Sequence, residues 1–187
     1  MIRAVDLRKG RAIIHDQNIW IVHDCQHVAK GNKRSYMQAR LKNLQSGQLI
    51  DVRFRVDESL QTPFLEERQY EYLYQDGDEL VFMDLETFDQ VYVGRDLLGE
   101  QAIYLKPNER LVCQVHEGRI VTVELPNVVE LEVVDAPPVV KGATATAQMK
   151  EVILETGLRI RVPPFIESGT VVRVDTRTGQ YVERAKG

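Results

Sequence analysis

The chain has only two cysteines, Cys25 and Cys113, and they lie far apart without C-x-x-C spacing. In a reducing compartment both stay thiols, and we expect them to act as small buried hydrophobic residues. No apolar run approaches the length that spans a membrane, and the first ten residues lack the apolar core of a signal peptide. These absences predict a cytoplasmic protein with no membrane partner.

Catalytic motifs are also missing. The sequence has no glycine-rich phosphate loop, no G-x-S-x-G and no H-E-x-x-H. Cys113 and His116 are the one local pair of nucleophile and base, and the turn at Glu117-Gly118 explains His116 better than catalysis does. We therefore expect no enzyme activity and no cofactor.

Metal ligands are sparse as well. His23, Cys25 and His27 alternate, so a regular strand would place all three on one face, but no fourth zinc ligand is near in sequence. The acidic residues of the middle segment match no calcium-loop spacing, and we interpret them as a solvated face. We expect no metal. Those acidic residues are Glu66, Glu67, Asp76, Asp78, Glu79 and Asp84.

Charge is distributed unevenly along the chain, although the 43% hydrophobic and 28% charged residues are ordinary for a globular protein. Residues 1–62 carry 11 Lys and Arg against 6 Asp and Glu, a net charge of +5. Residues 63–127 carry 5 against 14, which is −9, and residues 128–187 carry 8 against 8. The basic end is the candidate phosphate-facing surface.

The first 63 residues contain two predicted hairpins. Residues 10–15 pair with 19–28, and residues 35–44 pair with 49–56, because each run is rich in strand-forming residues and ends at polar turns. Four to five strands in this length predict a small SH3-like barrel. The basic loop 29–34 between the hairpins should project into solvent and is a candidate for RNA contact.

Residues 64–127 open with a strong hairpin signal at Asp76-Gly77, where a type I′ turn needs positive φ at both central residues. A short helical piece is predicted around residues 86–90 and 95–98. With the remaining strands at 109–115 and 120–125, five strands and a connecting helix fit an OB-type barrel.

The final segment follows the boundary at Pro126-Asn127 and again reads as a five-stranded barrel, with an exposed loop at residues 142–147. The sequence thus predicts an all-β protein of three small barrels. The domains are residues 1–63, 64–127 and 128–187.

A spaced motif in the last segment resembles the signature of the elongation factor P family. It reads Lys150-x-Val152-x-x-x-x-Gly157-x-x-Ile160-x-Val162-Pro163-x-x-Ile166-x-x-Gly169. Eight fixed positions at the correct spacing argue against chance agreement, and the resemblance extends along nearly the whole chain. Supporting matches are residues 72–77, 82–84, 86–88, 131–135, 141–142 and 174–182.

The resemblance implies an SH3-like domain followed by two OB-fold domains in an L-shaped, tRNA-like arrangement. It also implies a monomeric translation factor that binds both ribosomal subunits between the P and E sites and contacts P-site peptidyl-tRNA and ribosomal RNA. Members of the family promote peptide-bond formation at consecutive prolines by positioning the peptidyl-tRNA. The ribosome supplies the reaction.

Three groups of site residues carry over by position. The tip loop toward the tRNA acceptor end comprises Lys30, Gly31, Asn32, Lys33 and Arg34. A loop toward the E-site codon comprises Gly99, Glu100 and Gln101. Tyr181 and Arg184 match positions that face tRNA or small-subunit RNA, although Tyr181 could equally serve barrel packing.

The tip departs from the family pattern and leaves alternatives open. Family members commonly carry a modified lysine or a glycosylated arginine at the apex, whereas a gapless alignment places Asn32 there. A one-residue shift would instead bring Lys33 to the apex. The chain could therefore be a diverged paralogue that acts on different stalling motifs, and a non-ribosomal OB-type RNA-binding protein is the further alternative.

Overall fold

The computed structural model describes residues 1–29, 31, 34–138 and 149–186. Over these residues the chain forms sixteen β-strands and three short 3-10 helices, which confirms the all-β prediction. None of the helices in this part of the chain is long and apolar enough to cross a membrane. The helices are Ala4–Asp6, Arg95–Leu97 and Gly99–Tyr104. The strands are β1 Ile2–Arg3, β2 Ala12–His15, β3 Asn18–Val28, β4 Tyr36–Asn43, β5 Leu49–Arg55, β6 Ser59–Leu60, β7 Glu66–Asp76, β8 Glu79–Asp84, β9 Gln90–Gly94, β10 Arg110–His116, β11 Arg119–Glu124, β12 Val128–Asp135, β13 Lys150–Leu154, β14 Arg159–Val162, β15 Val171–Asp175 and β16 Tyr181–Arg184.

The strands form two compact units, and residues 1–67 with 114–122 make the first. Its main sheet runs in the order β2-β3-β4-β5, all antiparallel, and β1 pairs with β6. Alternate residues of these strands point into one core. The core includes Leu7, Ile13, Trp20, Val22, Met37, Leu41, Phe54 and Leu60.

A β-bulge at His23 changes which face the rest of β3 presents. Val22 pairs with Leu41 and Asp24 pairs with Arg40, so one extra residue lies between the two pairs. Before the bulge Val22 is buried, and after it Cys25 packs against the same core. The prediction that His23, Cys25 and His27 share one face is therefore wrong, because the extra residue reverses the alternation.

The second unit comprises residues 68–113 and 123–187. Two five-stranded sheets run in the orders β11-β10-β7-β8-β9 and β14-β13-β12-β15-β16. The latter sheet covers a core of Val129, Leu131, Val133, Val152, Leu154, Ile160, Val162, Ile166, Val172 and Val174. The boundaries of the three domains stay a prediction.

The hairpin predicted at Asp76-Gly77 is present, but its turn residues differ. Asp76 pairs with Glu79, so Gly77 and Asp78 form the turn, and of these two only Gly77 has positive φ. This is the type II′ pattern, which needs glycine only at the first central position. The predicted helical piece at residues 86–90 is wrong, because a turn joins β8 to β9 there.

Candidate nucleic-acid interface

The tip loop extends from a long antiparallel hairpin. β3 and β4 pair from Trp20 opposite Asn43 to Val28 opposite Tyr36. Gly31 has φ +44, a conformation that glycine adopts without strain. Lys30, Asn32 and Lys33 lie outside the described residues, so their part in the tip stays a prediction.

A basic cluster missed by the sequence analysis stands at the base of this loop. Arg53 lies over the ring of Tyr36, 5.1 Å from its centroid, and its Nε donates to Gln38 Oε1 at 3.0 Å. Arg55 is paired opposite Tyr36. The alternation on β5 was the available signal, because a buried Phe54 between two exposed arginines directs both outward.

A polar recess of about 570 Å³ lies beside β3, β4 and β5. Arg40 donates to both carboxylate oxygens of Asp51, at 3.1 and 3.4 Å, and its hydrogen bond holds the pKa of Asp51 below its usual range. Both signs of charge line the recess, including Lys9 and Asp24. Among the residues that the structure describes, no group of three His, Cys, Asp or Glu could hold a metal ion.

Gly99, Glu100 and Gln101 form the first half of a 3-10 helix, not the loop that the sequence suggested. Gly99 begins the helix with φ +57, and the backbone N–H of Gln101 donates to the Leu98 carbonyl oxygen at 3.1 Å. Ala102 anchors the helix by its burial, while Glu100 and Gln101 are exposed. The carboxylate of Glu100 and the side-chain amide of Gln101 are thus presented to solvent on a short helical segment.

Tyr181 and Arg184 lie on the last strand and differ in their surroundings. Tyr181 is half-buried against the core of its sheet, so the structure gives it a packing role. Arg184 is exposed, with its guanidinium 5.3 Å from the centre of the Phe165 ring. Stacking of this kind restrains the arginine and leaves its donors available to an anion.

One contact joins the 3-10 helix to the end of the chain. Tyr104, its last residue, packs against the core that also receives Tyr181. A Cβ added at Gly179, in the turn before β16, would meet the Tyr104 hydroxyl at 3.0 Å, and φ +72 also favours glycine there. The segment that begins at Gly99 and the strand that carries Arg184 are therefore both fixed to one core in the second unit.

The described side chains at these positions include the exposed guanidinium of Arg184, the carboxylate of Glu100 and the amide of Gln101. Burial raises the pKa of the Cys113 thiol to about 12, which keeps it protonated and poorly nucleophilic at neutral pH. His116 Nδ1 lies 3.4 Å from the Phe64 carbonyl oxygen. Exposed guanidinium and amide groups of this kind suit contact with phosphate and bases.

Three family models match the chain in succession. The elongation factor P KOW-like domain covers residues 3–60, the elongation factor P OB domain covers residues 65–123, and the elongation factor P C-terminal model covers residues 129–184. Together they span nearly the whole sequence.

Full-length relatives agree with these models. Elongation factor P of Moorella thermoacetica is 43% identical over 185 residues, covering 99% of this chain and 100% of the relative. Elongation factor P of Zymomonas mobilis is 40% identical over 184 residues, covering 98% of each. Among solved structures, translation initiation factor 5A from Methanococcus jannaschii aligns at 16% identity over 66% of this chain and 92% of its own, with a TM-score of 0.41. The chain belongs to the elongation factor P family.

Proposed function

We propose that this translation elongation factor binds the ribosome between the P and E sites and speeds peptide-bond formation at consecutive prolines. The observation that carries the proposal is the match of all three family models along one chain that also aligns end to end with its relatives. Proline's fixed φ makes the reaction at such sites a problem of orientation. The factor supplies position and is not an enzyme.

The basic end acts toward the tRNA acceptor end. Arg34, Arg53 and Arg55 are exposed at and below the tip loop, and the sequence adds Lys30 and Lys33 within it. Their charges neutralise phosphates that crowd the site, since residues 1–62 carry a net charge of +5. In this proposal the loop from residue 29 to 34 stabilises the terminal nucleotides of the peptidyl-tRNA.

The second unit supplies contacts at other positions of the complex. Glu100 and Gln101 offer an acceptor and an amide toward the E-site codon, and Arg184 offers a guanidinium to tRNA or small-subunit phosphate. Tyr181 positions the strand that carries Arg184. We propose three domains, at 1–63, 64–127 and 128–187, in a cytoplasmic monomer that uses no cofactor.

Translation with purified components tests the proposal. Two messages are compared that differ only in three consecutive proline codons or three alanine codons, with the protein present or absent. We expect the protein to restore full-length product from the proline message and to leave the alanine message unchanged. An equal yield of both products with and without the protein would contradict the proposal, and RNA binding away from ribosomes would then favour the OB-type RNA-binding alternative.

A diverged paralogue is the second candidate, and Asn32 favours it. The apex residue departs from the lysine or arginine that the family resemblance leads one to expect there. Messages on which ribosomes stall at sequences other than consecutive prolines distinguish the paralogue from a factor that acts at prolines. Rescue of such messages without rescue of the proline message would establish the paralogue.

A further inference from the structure

The face of the β7–β8–β9 sheet that points away from the core carries an aromatic pair. Tyr74 pairs with Val81 on β8, and Val81 pairs with Tyr92 on β9, so the three residues form one row across the sheet. Residues directly opposite one another project to the same face, and the bulge next to Tyr74 brings its side chain into this row.

The two tyrosines flank the central strand on this face. Tyr74 is 46% exposed and Tyr92 is 55% exposed, yet Val81 between them is fully buried. Leu80 and Phe82 on either side of Val81 are also buried, which means that β8 is covered on both faces.

Carboxylates flank the aromatic pair. On one side of the pair, Glu71 on β7 lies opposite Met83 on β8. On the other side, Asp76 on β7 lies opposite Glu79 on β8. The nearby phenol of Tyr74 raises the pKa of Tyr92, and the charges of Asp76 and Glu79 raise it further. These two carboxylates therefore lie within electrostatic reach of the aromatic pair. Residues 63–127 carry a net charge of −9, so a nucleic acid phosphate is repelled here.

We propose that this face docks an arginine-rich segment of a protein partner. The docking residues are the aromatic pair Tyr74 and Tyr92 with Glu71, Asp76 and Glu79. A guanidinium stacks on tyrosine rings and pairs with carboxylates at the same time, whereas the more strongly hydrated lysine ammonium stacks less well. The proposal stands apart from the tRNA-facing role, because it concerns other residues and a partner of opposite charge.

The test is a titration of the isotope-labelled full chain, followed by backbone amide NMR, with a peptide of ten arginines. We expect the largest shifts in residues 74–76, 79–83 and 90–92. Tyr74→Leu with Tyr92→Leu keeps apolar side chains at both positions but removes the rings, and it should weaken binding about tenfold, as expected for the loss of two exposed cation–π contacts. Tyr74→Phe with Tyr92→Phe keeps the rings and should change binding by less than about twofold.

A charge-matched pair separates this site from diffuse attraction. Asp76→Asn with Glu79→Gln should weaken binding severalfold, whereas Glu86→Gln with Asp89→Asn removes the same charge from the exposed β8–β9 turn and should leave it nearly unchanged. Equal weakening by the two acidic pairs would overturn the proposal. So would unchanged binding by the double leucine variant, or shifts on this face produced by a single-stranded RNA.

Discussion

The guanidinium of Arg53 lies over the ring of Tyr36, at the last cross-strand pair before the tip loop. The contact holds a cation at the base of the loop. We expect Arg53→Gln to weaken ribosome binding severalfold and to lower the slope of log affinity against log salt by about one, because one phosphate contact is lost. Binding measured at several salt concentrations checks this. Arg159→Gln, which removes an exposed arginine from β14, is the control, and an equal effect from it would contradict the expectation.

The uneven charge of the chain predicts which lysines and arginines matter. Lys30→Ala with Lys33→Ala should weaken ribosome binding more than Arg95→Ala with Arg110→Ala, although each pair removes two charges. The first pair belongs to the segment of net charge +5 and the second to the segment of −9. Equilibrium binding to purified ribosomes compares them. Equal losses of ribosome affinity would contradict the expectation that the basic segment makes the phosphate contacts.

Asp84 organises the turn that replaced the predicted helical piece. Its carboxylate is buried, accepts from the Glu86 and Thr87 amides at 2.8 and 3.2 Å, and pairs with Arg68 at 2.8 Å. Burial alone would raise the pKa of Asp84, but these hydrogen bonds hold it below its usual value. Asp84→Asn should lower the free energy of unfolding by about 1–3 kcal/mol at pH 7.

The stability that Asp84 contributes also depends on pH. A carboxyl whose pKa is lowered on folding stabilises fully above its unfolded value of about 3.9, and this contribution disappears as pH falls through the folded pKa. Urea unfolding of the wild type and Asp84→Asn should therefore differ most near neutral pH and converge in acid. Asp89→Asn, an exposed neighbour, is the control. A difference that grows toward low pH would contradict the assignment.

The hairpins were predictable because local chemistry determines them. The turn at Glu117-Gly118 lies where the sequence placed it, with positive φ at both residues. Asp16 and Gln17 both have positive φ as well, although neither is glycine. The sequence therefore predicted the position of this turn but not its backbone conformation. Alternation of apolar residues was enough for the strand positions.

Features set by contacts distant in sequence were not predictable. The bulge at His23 depends on the pairing of β3 with β4, and the extra residue separates His23 from the face that Cys25 shares with the core. The turn at Asp84 depends on Arg68, sixteen residues earlier. Alternation on β5 indicates that Arg53 and Arg55 are exposed, but their place beside Tyr36 at the base of the tip loop depends on the pairing of β5 with β4.

The tip should act without the long modification found elsewhere in the family. The Asn32 carboxamide has neither an amine for acylation nor a guanidinium for sugar transfer. We expect an intact mass equal to that of the encoded chain for protein from its own host, and equal rescue of proline stalls by protein made in cells that lack the modifying enzymes. Asn32→Ala and Lys33→Ala accompany the comparison. Added mass on Lys33, with rescue by the host preparation alone, would show that Lys33 is the modified apex.

The rate of a single peptide bond tests the central claim most directly. Ribosomes that hold a peptidyl-tRNA ending in two prolines are mixed rapidly with prolyl-tRNA, with and without the protein, and product is followed over time. We predict an increase of about tenfold or more, equivalent to at least about 1.4 kcal/mol off the barrier, and little change when the peptide ends in two alanines. An unchanged rate at saturating, ribosome-bound protein would contradict the account.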